Sequence, residues 1–180
     1  MRFSTSKDNN VSLKQYVERM KENQKDIYFI AGDNLEQLKL SPFVEKLKKR
    51  DLEVIYMHDT IDEYMMQQLK EYENKKFVDC SKENFALEET QEEKEKFEEK
   101  KKQYSEFCEF IKKTLGDKIE KAEISKRLDK TPCILSTTEY SWSANMQKIM
   151  QSQALSGNEM AMYMRSKKIM EINPETELIQ

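Results

Sequence analysis

Asp26-Ile27-Tyr28-Phe29-Ile30-Ala31, closed by Gly32, is the stretch whose reading decides the fold. Its apolar run is too short for a stable helix and rich in β-branched and aromatic residues, so it reads as a buried strand. Downstream, Ser41-Pro42 opens a helix, with Ser41 as the cap, Pro42 at the first helical position, and Phe43, Val44 and Leu47 on its apolar face. Leu52-Glu53-Val54-Ile55-Tyr56-Met57 is a second strand. Thr60-Ile61-Asp62-Glu63 has capping-box form and starts a helix that turns Ile61, Tyr64, Met65 and Leu69 inward. Lys76-Phe77-Val78-Asp79-Cys80 is a third strand. Upstream, Ser12-Leu13-Lys14-Gln15 is another capping box, with Leu13, Tyr16, Val17 and Met20 on one face, while residues 1–11 are polar and read as a frayed lead-in. Strand and helix alternate across residues 12–85, which predicts a three-layer αβα unit around a parallel sheet.

From Leu87 to Lys102 the composition changes to Glu and Lys. Pairs such as Glu92 with Lys96 and Glu98 with Lys102 support a solvated helix. Phe97, Tyr104, Cys108, Ile111 and Leu115 form a sparse apolar stripe, so one long connecting helix is expected to run to Leu115 and stop near Gly116. Residues 118–125 and 133–138 alternate as strands, with Thr131-Pro132 between them, and Ile169-Met170-Glu171-Ile172 leads into a turn at Asn173-Pro174. The predicted class is therefore mixed α/β and helix-rich. It divides into residues 1–86, the α/β unit, and residues 87–180, a charged connector helix with a small α+β domain.

Charged residues make up 36% of the 180, and there are 3 Gly and 3 Pro, against about 25% charged in a typical domain. The 31 basic and 34 acidic residues are closely mixed, which argues against a nucleic-acid surface. No apolar run approaches the roughly eighteen residues needed to span a bilayer, and no signal peptide follows Met1. Cys80, Cys108 and Cys133 lack metal-ligand spacing, so a reducing, cytoplasmic compartment is expected.

In Trp142-Ser143-Ala144-Asn145-Met146-Gln147-Lys148-Ile149-Met150, the residues Trp142, Met146, Ile149 and Met150, with Ala154, fall on one helical face. Met160, Met162, Met164 and Met170 follow. Methionine is unbranched and polarisable and re-packs against many shapes, so the stretch reads either as a core helix or as an adaptable surface for other polypeptides. The α/β half also admits an enzyme. Asp33, His58, Asp59 and Asp62 fall at strand ends, where acid–base or Mg²⁺-assisted chemistry is placed in such folds. Against it, no glycine-rich loop is available to cradle phosphate, and Asp33 and Asp62 serve equally well as helix-start residues.

Three collinear stretches resemble the ninety-kilodalton heat-shock chaperone family. The first is Ser12-Leu13-Lys14-Gln15-Tyr16-Val17-Glu18-Arg19-Met20-Lys21 with Gln24-Lys25-Asp26-Ile27-Tyr28-Phe29. The second is Ser41-Pro42-Phe43-Val44-Glu45 with Leu52-Glu53-Val54-Ile55-Tyr56-Met57 and Ile61-Asp62-Glu63-Tyr64. The third is Arg127-Leu128, Thr131-Pro132-Cys133, Tyr140-Ser141-Trp142-Ser143-Ala144-Asn145-Met146, Ile149-Met150, Gln153-Ala154-Leu155 and Glu171-Ile172-Asn173-Pro174. The Glu/Lys run resembles the cytosolic branch. Departures from the family are Ser141 where Gly is common, Cys133-Ile134 where two cysteines are frequent, and Met160 and Met162 where Thr and Gly are usual.

The resemblance implies that residues 1–86 are the last α/β part of a middle domain, and residues 87–180 a truncated C-terminal domain lacking its dimerisation helices. It places ATP and Mg²⁺ in an N-terminal domain upstream, with no cofactor, metal or catalytic residue in this chain. It further implies a homodimer for the full-length protein, co-chaperones as partners, and a client-binding face of Trp142, Met146, Ile149, Met150, Leu155 and Met164. A stand-alone enzyme using Asp33, His58 and Asp59, or a purely structural spacer with the Trp142 face buried, are the alternatives.

Overall fold

Four consecutive buried residues, Ile27, Tyr28, Phe29 and Ile30, make strand β2 (Ile27–Ala31) the centre of a sheet. This is seen in a computed structural model that describes residues 1–83, 85, 87, 89–152 and 168–179. Strand β1 is Ser4–Thr5, β3 Ile55–Met57, β4 Glu71–Tyr72 and β5 Lys75–Asp79, and the sheet order is β1-β3-β2-β5-β4. The expected parallel sheet is its core, with Phe29 opposite Ile55 and Ile27 opposite Phe77. The edges differ: β1 and β4 are antiparallel additions, so the sheet is mixed.

Burial explains the first edge. Phe3 and Val11, inside the stretch read as a frayed lead-in, are 7% and 2% exposed and pair with each other across a bridge. Two apolar residues in a polar context carry no periodicity, so only the assembled core reveals them.

Because side chains alternate along a strand, β2 feeds two cores. Tyr28 and Ile30 join Leu38, Val44, Leu47, Val54 and Tyr56 on one face. Ile27 and Phe29 join Tyr16, Ile55, Met57 and Met66 on the other. The helices α1 (Leu13–Glu18) and α4 (Thr60–Gln68) cover the second core, and α2 (Leu35–Lys39) and α3 (Glu45–Lys49) the first, giving three layers. At Gly32, which follows β2, an added Cβ would lie 2.8 Å from Leu38 Cδ2, so a larger residue there would force the Leu38 side chain to shift.

Ser12 caps α1 as its pattern predicts, its hydroxyl accepting the Gln15 amide at 3.2 Å while Gln15 returns the contact to the Ser12 amide at 3.0 Å. The next cap is shifted. Asp59, rather than Thr60, caps α4, with its amide donating to Asp62 Oδ2 at 3.2 Å. The buried face carries Asp62, Glu63 and Met66, and Ile61 is 66% exposed instead of inward.

The single connector helix is two helices, α5 (Gln91–Gln103) and α6 (Ser105–Leu115), interrupted at Tyr104, whose ψ of 8° leaves the helical region. Thr90 and Glu93 form a capping box at the start of α5, and Gly116, at φ 55°, ends α6 where expected. Beyond it stand β6 (Ile119–Ile124), β7 (Cys133–Ser136) and β8 (Lys168–Ile172), in the order β6-β8-β7. The stretch read as leading into the turn at Asn173-Pro174 does so, and it is itself the central strand β8, with Ile169 and Ile172 both 0% exposed. Between β7 and β8, α7 (Ala144–Ser152) forms as the Trp142 periodicity predicts.

The segment after β5 belongs to both sheets. Cys80 donates its amide to Phe29 O at 2.8 Å, and three residues on Glu83 donates to Thr137 O at 2.9 Å, next to the parallel bridge of Lys82 with Thr137.

Candidate functional site

Where the two sheets meet, long-range polar contacts gather. Arg127, between β6 and β7, is 2% exposed. Its Nε and Nη2 donate to both carboxylate oxygens of Glu171 on β8, at 2.9 and 2.7 Å, in the bidentate geometry that suits a guanidinium. Nη1 donates to Cys80 O at 2.6 Å and Nη2 to Glu83 O at 3.3 Å, while the Phe43 and Phe85 rings lie 5.7 and 5.2 Å from the guanidinium carbon. One cation thus holds β8 to the shared segment and to the first core. On α3, Glu45 accepts the amides of Asp129, Lys130 and Thr131 and the Thr131 hydroxyl, the last at 2.6 Å. Burial alone would raise the Glu45 carboxyl, but these four donors hold it below its ordinary value.

A second set of contacts holds the segment entering α7. Glu63 Oε1, on α4, accepts from Ser143 Oγ at 2.7 Å and Asn145 Nδ2 at 3.0 Å. Ser143 in turn accepts the Met146 amide at 2.9 Å, as a helix-start serine does. Lys82 Nζ donates to the carbonyls of Thr138 and Ser141. Between α4, β5 and this segment lies a cavity of about 620 Å³, walled by Phe29, Met66, Phe77, Trp142 and Met146.

Burial raises the Glu63 carboxyl, against the Ser143 and Asn145 hydrogen bonds that lower it. The folded protein then holds this proton more tightly than the unfolded chain. Stability from the protonated group is therefore complete below the ordinary carboxylate value and is lost as pH rises through the raised folded one. Glu63→Gln keeps the accepting Oε1 and removes the charge. It is expected to flatten that part of the pH dependence and to raise the thermal midpoint modestly at neutral pH, as a pH series of melting curves would show. A lower neutral midpoint would mean that the charged carboxylate is needed.

Of the residues expected to form an apolar face, Trp142, Ile149 and Met150 are half-buried on or beside α7. Met146 is not on an open surface: it is 4% exposed, because the Glu63 and Lys82 contacts draw the start of α7 onto α4 and β5. Leu155 and Met164 lie outside the described residues. Asp33 and His58 come to one small cavity with Thr60, Asn145 and Lys148, and Lys148 Nζ is 3.6 Å from Asp33 Oδ2. Asp59 is occupied as the α4 cap, with His58 Nδ1 3.5 Å away.

Among the described residues, no group of three His, Cys, Asp or Glu side chains is gathered to hold a metal ion. In the sequence the 3 Gly stand far apart, without the spacing of a phosphate-binding glycine loop. Sequence reasoning missed Arg127, Glu45, Lys82 and Glu63 as a working set. The one local signal was Glu63 itself, a carboxylate on the inward face of a helix.

A mixed α/β unit is keyed through buried charges to a three-stranded sheet, with an amphipathic Trp/Met helix at the seam. The match to the Hsp90 protein family covers residues 1–180, and the chain belongs to that family. It is 49% identical to heat shock protein 83 of Leishmania donovani over 94% of its length, which is 37% of that relative. It is 43% identical to the chloroplastic heat shock protein 90-5 of Arabidopsis thaliana and 44% identical to an endoplasmin homologue of Hordeum vulgare, each over 100% of this chain and 23% or 22% of the relative. The chain therefore spans well under half the length of these relatives. The expected cytoplasmic placement does not stand. Relatives that match the whole chain are named for the chloroplast and as endoplasmin, and a Glu/Lys run reports only a solvated helix, which any aqueous compartment accommodates.

Proposed function

We propose that this chain is the client-contacting and conformation-coupling part of an ATP-dependent chaperone that assists the folding of other polypeptides. The observation that carries the reading is α7 and its entry: Trp142 just before the helix and Ile149 and Met150 on it are half-exposed at the seam between the two sheets. In this reading residues 1–86 are the end of a middle domain and residues 87–180 a connector with part of a C-terminal domain. ATP and Mg²⁺ act elsewhere in the full-length protein, which is a homodimer served by co-chaperones. Leu155 and Met164 extend the client face. Burying one methionine or isoleucine is worth about 1.5–3 kcal/mol at most. A few such contacts, less the cost of association, give roughly micromolar or weaker binding. Contact of that strength lets a client leave again.

The test is suppression of aggregation of a heat-unfolded protein by the chain and by the Ile149→Ser/Met150→Ser variant. With the fold retained by circular dichroism, the variant is expected to protect about tenfold less well, since the two partly exposed side chains together lose around 1.4 kcal/mol of apolar contact. Equal protection by the folded variant would move client contact off α7.

A further inference from the structure

The two sets of contacts at the seam differ in a way that assigns them different tasks. A cavity of about 560 Å³ also opens beside Arg127, but there the charges themselves are enclosed and paired: the Arg127 and Glu171 side chains are 2% and 4% exposed and joined through both carboxylate oxygens, with the Phe43 and Phe85 rings 5.7 and 5.2 Å from the guanidinium carbon. Around Glu63 the packing is incomplete. A cavity of about 620 Å³ separates the aromatic and methionine side chains of the α7 entry from those of α4 and β5. The segment is therefore held by hydrogen bonds, those of Glu63 to Ser143 and Asn145 and of Lys82 to the Thr138 and Ser141 carbonyls. Such bonds exchange with water at small net cost, whereas apolar packing does not. Opening would also return the Glu63 carboxylate and the Lys82 ammonium to water, relieving the desolvation that both bear when closed.

We infer that Glu63 and Lys82 form a latch that closes the segment from Thr138 to Met146 over the cavity and covers Met146, and that its release presents Trp142, Met146, Met66 and Phe77 as one apolar surface to a client chain. The Arg127–Glu171 pair and the Glu45-bound loop stay in place and act as the pivot. The inference rests on the proposed client-contacting role of the Trp142 face, which it deepens by making that face conditional. It also accounts for the burial of Met146 beside half-exposed Ile149 and Met150 on the same helix.

Trp142 is the only tryptophan in the chain, so its fluorescence reports the segment directly. The experiment compares the parent with Glu63→Ala, Lys82→Met and Glu63→Gln, first by acrylamide quenching and then by binding of reduced, carboxymethylated α-lactalbumin, a permanently unfolded chain. Glu63→Ala and Lys82→Met are expected to shift the closed-to-open equilibrium about tenfold, equivalent to about 1.4 kcal/mol, seen as higher quenching and tighter binding. Glu63→Gln keeps the acceptor and loses the charge whose hydration favours opening, so it should stay as closed as the parent or more so, with quenching and binding no higher than the parent's. Circular dichroism confirms the fold, and Lys82→Met, which leaves the α7 cap intact, serves where Glu63→Ala unfolds. Unchanged quenching in both folded variants overturns the latch and leaves the client reading standing. Raised quenching with unchanged binding overturns the gating of client contact. Binding by none of the four chains overturns the client reading itself.

Discussion

Arg127→Met is expected to destabilise the fold by about 3–5 kcal/mol, the usual result of removing one partner from a buried ion pair. The methionine fills much of the volume, so the loss is electrostatic. Glu171, 3% exposed, would be left with a single hydrogen bond from Ser125 Oγ at 2.9 Å. The carbonyls of Cys80 and Glu83 would lose donors as well. Urea denaturation measures the effect as a fall in midpoint. The companion variant Arg127→Met/Glu171→Met should recover most of it, because replacing both charges with apolar side chains removes the desolvation penalty along with the attraction. A single variant within about 0.5 kcal/mol of the parent, the range of a neutral surface change, would show that the pair contributes no cohesion and would remove the pivot from the seam.

Leu47→Ala should lower stability by about 2–5 kcal/mol, the range for deleting a fully buried leucine side chain. Leu47 is 0% exposed on α3 and packs in the cluster of Tyr28, Val44, Val54, Tyr56 and Cys80. Phe85 and Leu87, beyond β5, close the same cluster, so the cavity would open beneath the segment that both sheets share. In urea the midpoint should fall while the slope stays the same, since the surface exposed on unfolding hardly changes. A loss below about 1 kcal/mol would mean that α3 moves inward to fill the space, and that the first core is looser than its burial indicates.

The parts of the fold that were legible in the sequence share one property: their cause lies within a few residues. The Ser12 box needs only Gln15, and the end of α6 only Gly116. The strands β2, β3 and β5 announce themselves by short apolar runs. The parts that were missed have the opposite character. β8 carries a glutamate in its middle, and Glu171 belongs there only because Arg127 reaches it from 44 residues away. The outward Ile61 follows from α4 burying the face of Asp62, Glu63 and Met66 instead. At the site, α7 and its apolar face followed from periodicity. The groups that hold it did not: Ser143 and Glu63 are 80 residues apart, and Thr131 and Glu45 are 86.

By itself, then, the sequence determined the class of the fold, the family to which the chain belongs and the presence of an amphipathic Trp/Met helix, because strand runs, helix caps and helical spacing are local and additive. Only the tertiary structure decided that Met146 is covered while Ile149 and Met150 are not, and that Arg127 and Glu63 meet their partners at the seam. Those outcomes depend on which distant polar groups are brought out of water together, and a buried charge or hydroxyl takes its meaning from the partner that folding supplies.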